Sequence, residues 1–249
     1  MKAWPYPRMI AHRGGGTLAP ENTLAAIRTA PVHGYGGVEF DVMLSADNQA
    51  VLIHDETLER TTSGKGRVAD TALAVLASLD AGSWKDPHFG GEPVPSFEAA
   101  ARLCIELGLW ANIEIKPAHG HAAKTGEIAG RIAARLWRGE KTLPLISSFR
   151  RAALITAHQA APHIPLGWLV DRIEPGWQEQ LVDLDCVSLH CNQAHLTETQ
   201  ARAVKDAGYW LVCWTVNDPL TARRLSNWGV DAMVTDRIDL LPPNELFAL

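Results

Sequence analysis

The sequence predicts an α/β fold in which eight parallel strands and their helices close into a (β/α)8 TIM barrel. Three observations carry that prediction. Short apolar runs alternate with longer amphipathic stretches along almost all of the 249 residues, the pattern of a parallel sheet covered by helices. Several amphipathic stretches stop at a glycine just before the next apolar run, at Gly34, Gly108, Gly208 and Gly229. Glycine tolerates the left-handed conformation that ends a helix. Finally, no Pro-, Gly- or Ser-rich linker divides the chain, and its length suits one α/β barrel. A doubly wound open sheet is the alternative allowed by the same alternation.

In chain order, strands are expected at residues 9–12, 38–43, 51–54, 109–115, 144–147, 166–170, 186–190, 210–216 and 232–235. Each is a short apolar run with polar residues at or just beyond its end. Helices are expected at 21–29, 97–107, 121–137, 150–160, 197–207 and 220–228, where one apolar face recurs at helical spacing. The strand at 51–54 is one more than a barrel needs and reads as an extra strand beside the second. Residues 56–95 break the rhythm, with Thr61-Thr62-Ser63-Gly64-Lys65-Gly66 near one end and Gly90-Gly91-Glu92-Pro93-Val94-Pro95 at the other. So long a strand-to-helix connection is unusual and often functional. It reads as a small insertion after the second strand, lying over one mouth of a barrel domain that spans residues 1–249.

With 47% hydrophobic and 20% charged residues the chain is globular, and 28 acidic against 23 basic residues leave a net charge of −5. A basic footprint for nucleic acid is therefore missing, although a local cationic pocket is compatible with that balance. No apolar run approaches the ~18 residues needed to span a bilayer, and residues 1–8 contain no apolar core of a secretory signal. The four cysteines sit inside apolar segments without a CxxC pair and read as buried, reduced thiols. A soluble cytoplasmic protein is expected; the oligomeric state is not legible.

A barrel of this type carries its site at the carboxyl ends of the strands, and ionisable residues collect there. Glu39 and Asp41 flank Phe40; residues two apart on a strand share a face, with Cα atoms about 6–7 Å apart. Glu114 lies near the end of the next barrel strand, with Lys116 on the same face. Taken singly, Glu39 or Glu114 is explained as well by a structural salt bridge to Arg13 or Lys116. Three carboxylates together repel, and a divalent, oxygen-preferring ion removes that penalty: Mg²⁺ or Ca²⁺, with Mn²⁺ or Co²⁺ as alternatives. His12 and His54 follow apolar strands and titrate near neutral pH, which suits an acid–base pair; neither fits a zinc pattern. The remaining histidines, His190 at a strand end among them, read as surface or packing residues. Arg13 offers a planar fork for phosphate oxygens beside Gly14-Gly15-Gly16, where backbone amides approach an anion closely. Glu21 and Asn22 read as helix-entry and loop-tying groups, with a role in holding substrate or Arg13 as the alternative. Trp214, one of nine tryptophans, is either packing or an apolar wall for a small ligand.

In order along the chain, these pieces resemble the glycerophosphodiester phosphodiesterase family, especially its compact bacterial cytosolic members. The resemblance is carried by Ile10-Ala11-His12-Arg13-Gly14 through Pro20-Glu21-Asn22-Thr23, by Val38-Glu39-Phe40-Asp41-Val42, and by Val51-Leu52-Ile53-His54-Asp55 with Leu58, Arg60, Thr61 and Thr62. Asn112-Ile113-Glu114-Ile115-Lys116, then Val212, Trp214, Thr215, Val216 and Asn217, and Val234-Thr235-Asp236 complete it. It implies a barrel that hydrolyses glycerophosphodiesters, such as glycerophosphocholine or glycerophosphoethanolamine, to glycerol 3-phosphate and an alcohol. By the same resemblance Glu39, Asp41 and Glu114 hold the divalent ion, Arg13 and Lys116 contact phosphate, and Trp214 packs against the glycerol or its leaving group. His12 takes the proton of the glycerol 2-hydroxyl as that oxygen attacks phosphorus, and His54 protonates the departing alcohol. Water then opens a 1,2-cyclic phosphate; which imidazole plays which part is set by analogy alone. Two rival readings share the fold: a phosphodiesterase of lysophospholipids or sphingolipids, and a catalytically silent barrel that binds a phosphate-bearing ligand.

Overall fold

The second strand illustrates how the sequence builds the architecture. In a computed structural model that describes residues 3–243, all eight residues of this strand, Gly37–Leu44, are buried. That is the condition of a strand with helices on one side and a filled barrel on the other. Phe40 and Val42 pack into the layer between sheet and helices. Alternation sends Glu39 and Asp41 to the opposite face, into the barrel mouth. Met1 and Lys2 of the amino-terminal segment read above lie outside the described residues, as do residues 244–249.

The strands are β1 (Met9–Ala11), β2 (Gly37–Leu44), β3 (Ala50–Leu52), β4 (Trp110–Ile115), β5 (Leu145–Ser148), β6 (Leu166–Val170), β7 (Cys186–Asn192), β8 (Trp210–Trp214) and β9 (Ala232–Thr235). From β4 to β9 each strand pairs in parallel with the next, β2 pairs with β4, and β1 pairs with both β9 and β2. The result is a closed barrel of eight parallel strands. Only β3 stands outside it, antiparallel to the far end of β2 with Val42 opposite Leu52, so the extra strand takes the place that the sequence predicts. The open-sheet alternative is excluded by the β1–β2 pairing.

The helices are α1 (Leu24–Val32), α2 (Leu73–Leu76), α3 (Phe97–Glu106), α4 (Ala122–Leu136), α5 (Arg151–Ala160), α6 (Trp177–Asp183), α7 (Glu198–Asp206) and α8 (Pro219–Asn227). Side chains of Thr23, Ser96, Thr197 and Asp218 accept backbone N–H groups at four of their amino ends, as capping residues should. The predicted terminating glycines 34, 108, 208 and 229 all have φ between 66° and 90°. Two differences from the sequence reading have simple causes. The first helix starts at Leu24 rather than residue 21, because Asn22 sits at φ 58°, a left-handed conformation that no α-helix admits. Helix α6 was not predicted: it has seven residues, only Trp177 and Leu181 buried, and a Pro-Gly pair just before it, too little for a periodic signal.

Between β3 and α3, in the segment read as an insertion, a small apolar cluster built on Leu58, Val68, Leu76, Ala81 and Val94 packs on Val51 and Ile53. At the opposite end of the barrel Trp4, Tyr6, Trp110 and Trp210 stack edge and face, with centroids 4.6–6.1 Å apart, and close the floor. All four cysteines are buried free thiols. Among the described residues no helix is long and apolar enough to cross a membrane.

Candidate active site

His12, Arg13, Glu39, Asp41, His54, Glu114, Lys116 and Trp214 all line one cavity, and Glu21 and Asn22 stand in the loop between β1 and α1. Register explains the central cluster. Glu39 and Asp41 stand two apart on β2, and β4 pairs so that Asp41 faces Glu114 and Glu39 faces Asn112. One carboxylate oxygen from each of Glu39, Asp41 and Glu114 lies within 4.8 Å of the others. Glu39 and Asp41 are each only 2% exposed, so water does not screen them from one another.

The electrostatic consequence differs for the three. Burial, then Asp41 and Glu114, raises Glu39 far above the usual carboxylate range. Burial and Asp41 push Glu114 to about 8. Burial works on Asp41 too, but His54, Arg13, Lys116 and a hydrogen bond from Asn22 outweigh it and keep that carboxyl below its ordinary value. Asn22 clasps Asp41 twice: its amide nitrogen donates to Oδ2 at 2.8 Å, and its carbonyl oxygen accepts the Asp41 backbone N–H at 3.0 Å. The left-handed backbone of Asn22 makes that clasp possible.

Several buried oxygens in the cluster have no hydrogen-bond partner: Glu39 Oε1, Glu114 Oε1 and Asn112 Oδ1. Orphaned buried acceptors are costly, and here they surround a point at which three acidic groups meet. The donor set is all oxygen, with neither thiolate nor imidazole in the trio, so it fits a hard divalent cation.

Two imidazoles flank the trio, each held by its own carboxylate. His12 Nδ1 lies 2.6 Å from Asp236 Oδ1 and its Nε2 lies 3.8 Å from Glu39 Oε2. His54 Nδ1 lies 2.6 Å from Asp55 Oδ1. In each case the carboxylate engages Nδ1, which fixes ring orientation and tautomer, and both histidines line the cavity. Burial lowers the His54 pKa against the pull of Asp41 and Asp55.

The cations complete the frame. Arg13, at φ 50°, donates its backbone N–H to Glu39 Oε2 at 2.9 Å and a guanidinium N–H to Glu21 at 2.7 Å. Its Nε is buried without a hydrogen-bond acceptor, 3.6 Å from Asp41. Lys116 Nζ stands 3.6 Å from Glu114 and 3.9 Å from Asp41. Glu21 also accepts two hydrogen bonds from Arg60, which in turn grips Asp55, so a continuous ion-pair chain ties Arg13 to His54 through the insertion. Gly16 is required at its place: a Cβ there would sit 2.2 Å from the Asp236 carbonyl oxygen, and its own φ is 56°.

The cavity enclosed by these groups holds about 240 Å³. Its apolar wall is Trp214, Phe149 and Leu169, with the two rings edge to face at 5.5 Å. Trp214 both lines the cavity and packs against the cluster of Ile10, Leu145 and Val212. The peptide bond between Trp214 and Thr215 is cis. Asp236, Asn217, Asp55 and Arg60 took no role in the sequence reading, although each stands in a motif quoted there. Their function is to hold other side chains, and a partner across the barrel leaves no trace in spacing. Phe149, just past β5, and Asn112, within β4, carry no sequence signal of a place in the cavity.

Of the two readings given for His190, packing is the one the structure supports: it is 1% exposed and lies 2.9 Å from Ser188 Oγ, and it also lines the cavity. Gly167 makes room for it, since a Cβ there would fall 2.5 Å from His190 Nε2. Burial pushes the His190 pKa down to about 3, whereas the unfolded chain binds the proton near 6.5. The stabilising effect of the neutral ring is therefore full above about pH 6.5 and is lost as pH falls toward 3. Between pH 6.5 and 5 the wild type should lose roughly 1.5 kcal/mol more unfolding free energy than His190→Gln, because the slope approaches about 1.4 kcal/mol per pH unit only below pH 6.5. Urea titrations at the two pH values measure this; equal losses in both proteins would contradict it.

The chain matches the model of the Glycerophosphoryl diester phosphodiesterase family over residues 12–240. A glycerophosphodiester phosphodiesterase of Caldanaerobacter subterraneus subsp. tengcongensis is 35% identical over 92% of this chain and 93% of its own length. An Oleispira antarctica phosphodiesterase, solved in complex with the product sn-glycerol-3-phosphate, superposes with a TM-score of 0.89 at 38% identity, covering 96% of this chain and 94% of that one. Glycerophosphodiester phosphodiesterase from Agrobacterium tumefaciens gives 0.76 at 28% identity over 94% and 98%. The chain belongs to the glycerophosphoryl diester phosphodiesterase family.

Proposed function

We propose that the chain hydrolyses glycerophosphodiesters, such as glycerophosphocholine or glycerophosphoethanolamine, to glycerol 3-phosphate and the free alcohol, with one divalent cation held by Glu39, Asp41 and Glu114. The observation that carries this reading is the pair of carboxylate-held imidazoles, His12 and His54, on either side of a buried all-oxygen acidic trio. The product complex of the Oleispira relative supports it. When bound, a cation such as Mg²⁺ or Ca²⁺ supplies positive charge that lowers the pKa of a hydroxyl and neutralises phosphate.

The chain's own groups do the rest. Arg13, whose Nε has no hydrogen-bond acceptor, and Lys116 bind the phosphate oxygens and stabilise the charge that grows on them. His12 Nε2 takes the proton of the glycerol 2-hydroxyl as its oxygen bonds to phosphorus. His54, protonated beside the anionic substrate, delivers that proton to the departing alcohol as the old P–O bond breaks. The resulting 1,2-cyclic phosphate is opened by water with the two roles exchanged, which yields glycerol 3-phosphate. A vicinal hydroxyl is required as nucleophile, hence the glycerol arm. Asp236 and Asp55 keep each ring aimed, and Trp214 and Phe149 shield one side from water. The four buried free thiols suit a cytoplasmic setting.

The test is direct. Purified protein incubated with glycerophosphocholine, glycerophosphoethanolamine and glycerophosphoglycerol, in turn with Mg²⁺, Ca²⁺ and Mn²⁺, should release glycerol 3-phosphate. Absence of release from every pairing would reject the activity and favour a barrel that only binds. A lysophospholipid substrate is less well supported, because the outer groove next to the site presents Lys85 and paired carboxylates, with Trp84 its one large apolar side chain.

A further inference from the structure

Two cavities meet at His12 and Arg13. The inner one contains the carboxylate trio and the Trp214 wall. The outer one, about 410 Å³, opens between the loop after β1, the end of β9 and the insertion, and is lined by Thr17, Glu21, Trp84, Lys85 and Asp236. His12, Arg13 and Thr215 border both. A phosphodiester has two arms. With its phosphate seated at the imidazole and guanidinium that separate the cavities, one arm enters each.

We propose that the outer groove is the subsite for the leaving alcohol, and that Trp84 and Lys85 make it favour an uncharged, hydroxyl-rich alcohol over one bearing a quaternary ammonium group. The inference rests on the glycerophosphodiesterase reading above. The glycerol arm that supplies the nucleophile must lie by the carboxylate trio, so the other arm is left to the outer groove.

Trp84 is held there in spite of its exposure. It is 42% exposed, yet its indole N–H donates to the Ala81 carbonyl at 2.8 Å. The loop that carries it is tied by Asp80, which accepts from the backbone of Gly82, Ser83 and Gly91 and from the Ser83 hydroxyl. Gly82 packs so closely that a Cβ would lie 1.9 Å from the Phe89 carbonyl oxygen. A large ring fixed at a rim with one face open offers contact to the C–H face of a ligand at little entropic cost.

Charge decides which ligand. The two carboxylates of the groove are already engaged: Glu21 by Arg13 and Arg60, Asp236 by His12 and Asn217. Lys85, half-buried, has no ion-pair partner among the described residues. The unsatisfied group of the groove is thus an ammonium, which donates hydrogen bonds to hydroxyl oxygens and repels a second cation. A tryptophan alone attracts a quaternary ammonium; Lys85 beside it opposes that attraction.

The experiment compares kcat/KM for glycerophosphoglycerol and glycerophosphocholine in the wild type, Lys85→Ala, Lys85→Glu and Trp84→Ala, with glycerol 3-phosphate as the readout. The wild-type ratio should favour the glycerol ester. Lys85→Ala should lower that ratio about three- to ten-fold, the range of a charge-assisted contact at a partly exposed site, and Lys85→Glu should reverse it. Trp84→Ala should raise KM for both esters more than it lowers kcat. Ratios that stay within twofold of wild type in both Lys85 variants would overturn the subsite while leaving the activity intact. No release from either ester by the wild type would overturn the activity itself and the subsite with it.

Discussion

Replacing His12 by alanine is expected to lower turnover by a factor of about 10²–10⁴, the usual loss for a general acid–base group, while the barrel keeps its melting temperature. The first half follows from position: His12 is the imidazole nearest the trio, 3.8 Å from Glu39, and Asp236 holds it in one orientation. The second half follows from surroundings. The ring lies at the mouth with its side chain 19% exposed, and without it Asp236 keeps the hydrogen bond from Asn217 at 3.0 Å, so no buried group is orphaned. His54→Ala should behave alike, because Asp55 retains Arg60. Initial rates and thermal melts on the same preparations read both halves. Turnover within threefold of wild type would remove His12 from the proton transfer.

Chelation should be as severe. Removal of divalent ions with EDTA is expected to bring activity to background, and one added divalent ion should restore it. Glu39→Gln should abolish the restored activity without unfolding the protein. The three carboxylates lie within 4.8 Å of one another and Glu39 is nearly inaccessible; without a cation they repel, so replacing one by a neutral isostere relieves the cluster. The glutamine carbonyl still accepts the Arg13 N–H that Glu39 now accepts. Loss of activity with an unchanged or higher melting temperature separates a metal ligand from a structural salt bridge, whose removal would lower it. Activity that survives chelation would speak against any cation-dependent mechanism.

The parts legible in the sequence were those encoded by local period. Alternation along β2 placed Glu39 and Asp41 on one face, and the glycines that end α1, α3, α7 and α8 marked the strand–helix boundaries. The arrangement of the mouth followed because the fold class alone directs strand ends to one rim. What stayed hidden were interactions across the barrel. Asp236 is 224 residues from His12, Arg60 reaches back 39 residues to Glu21, and nothing in the spacing of either announces its partner. His190 read as either surface or packing because a single histidine in an apolar run carries no sign of which way it points. Helix α6 escaped because its two buried anchors do not make a period. Trp84 stood in the irregular insertion, where no repeating pattern says which side chain faces the groove.

The most direct measurement is a calorimetric titration of metal-free protein with Mn²⁺ or Mg²⁺, followed by the same titration of Glu39→Gln and Glu114→Gln. One ion per chain, bound about tenfold or more weakly when either carboxylate is neutralised, is the result the acidic cluster requires. Binding that is absent in the wild type, or unchanged in both variants, would show that Glu39, Asp41 and Glu114 do not form a cation site.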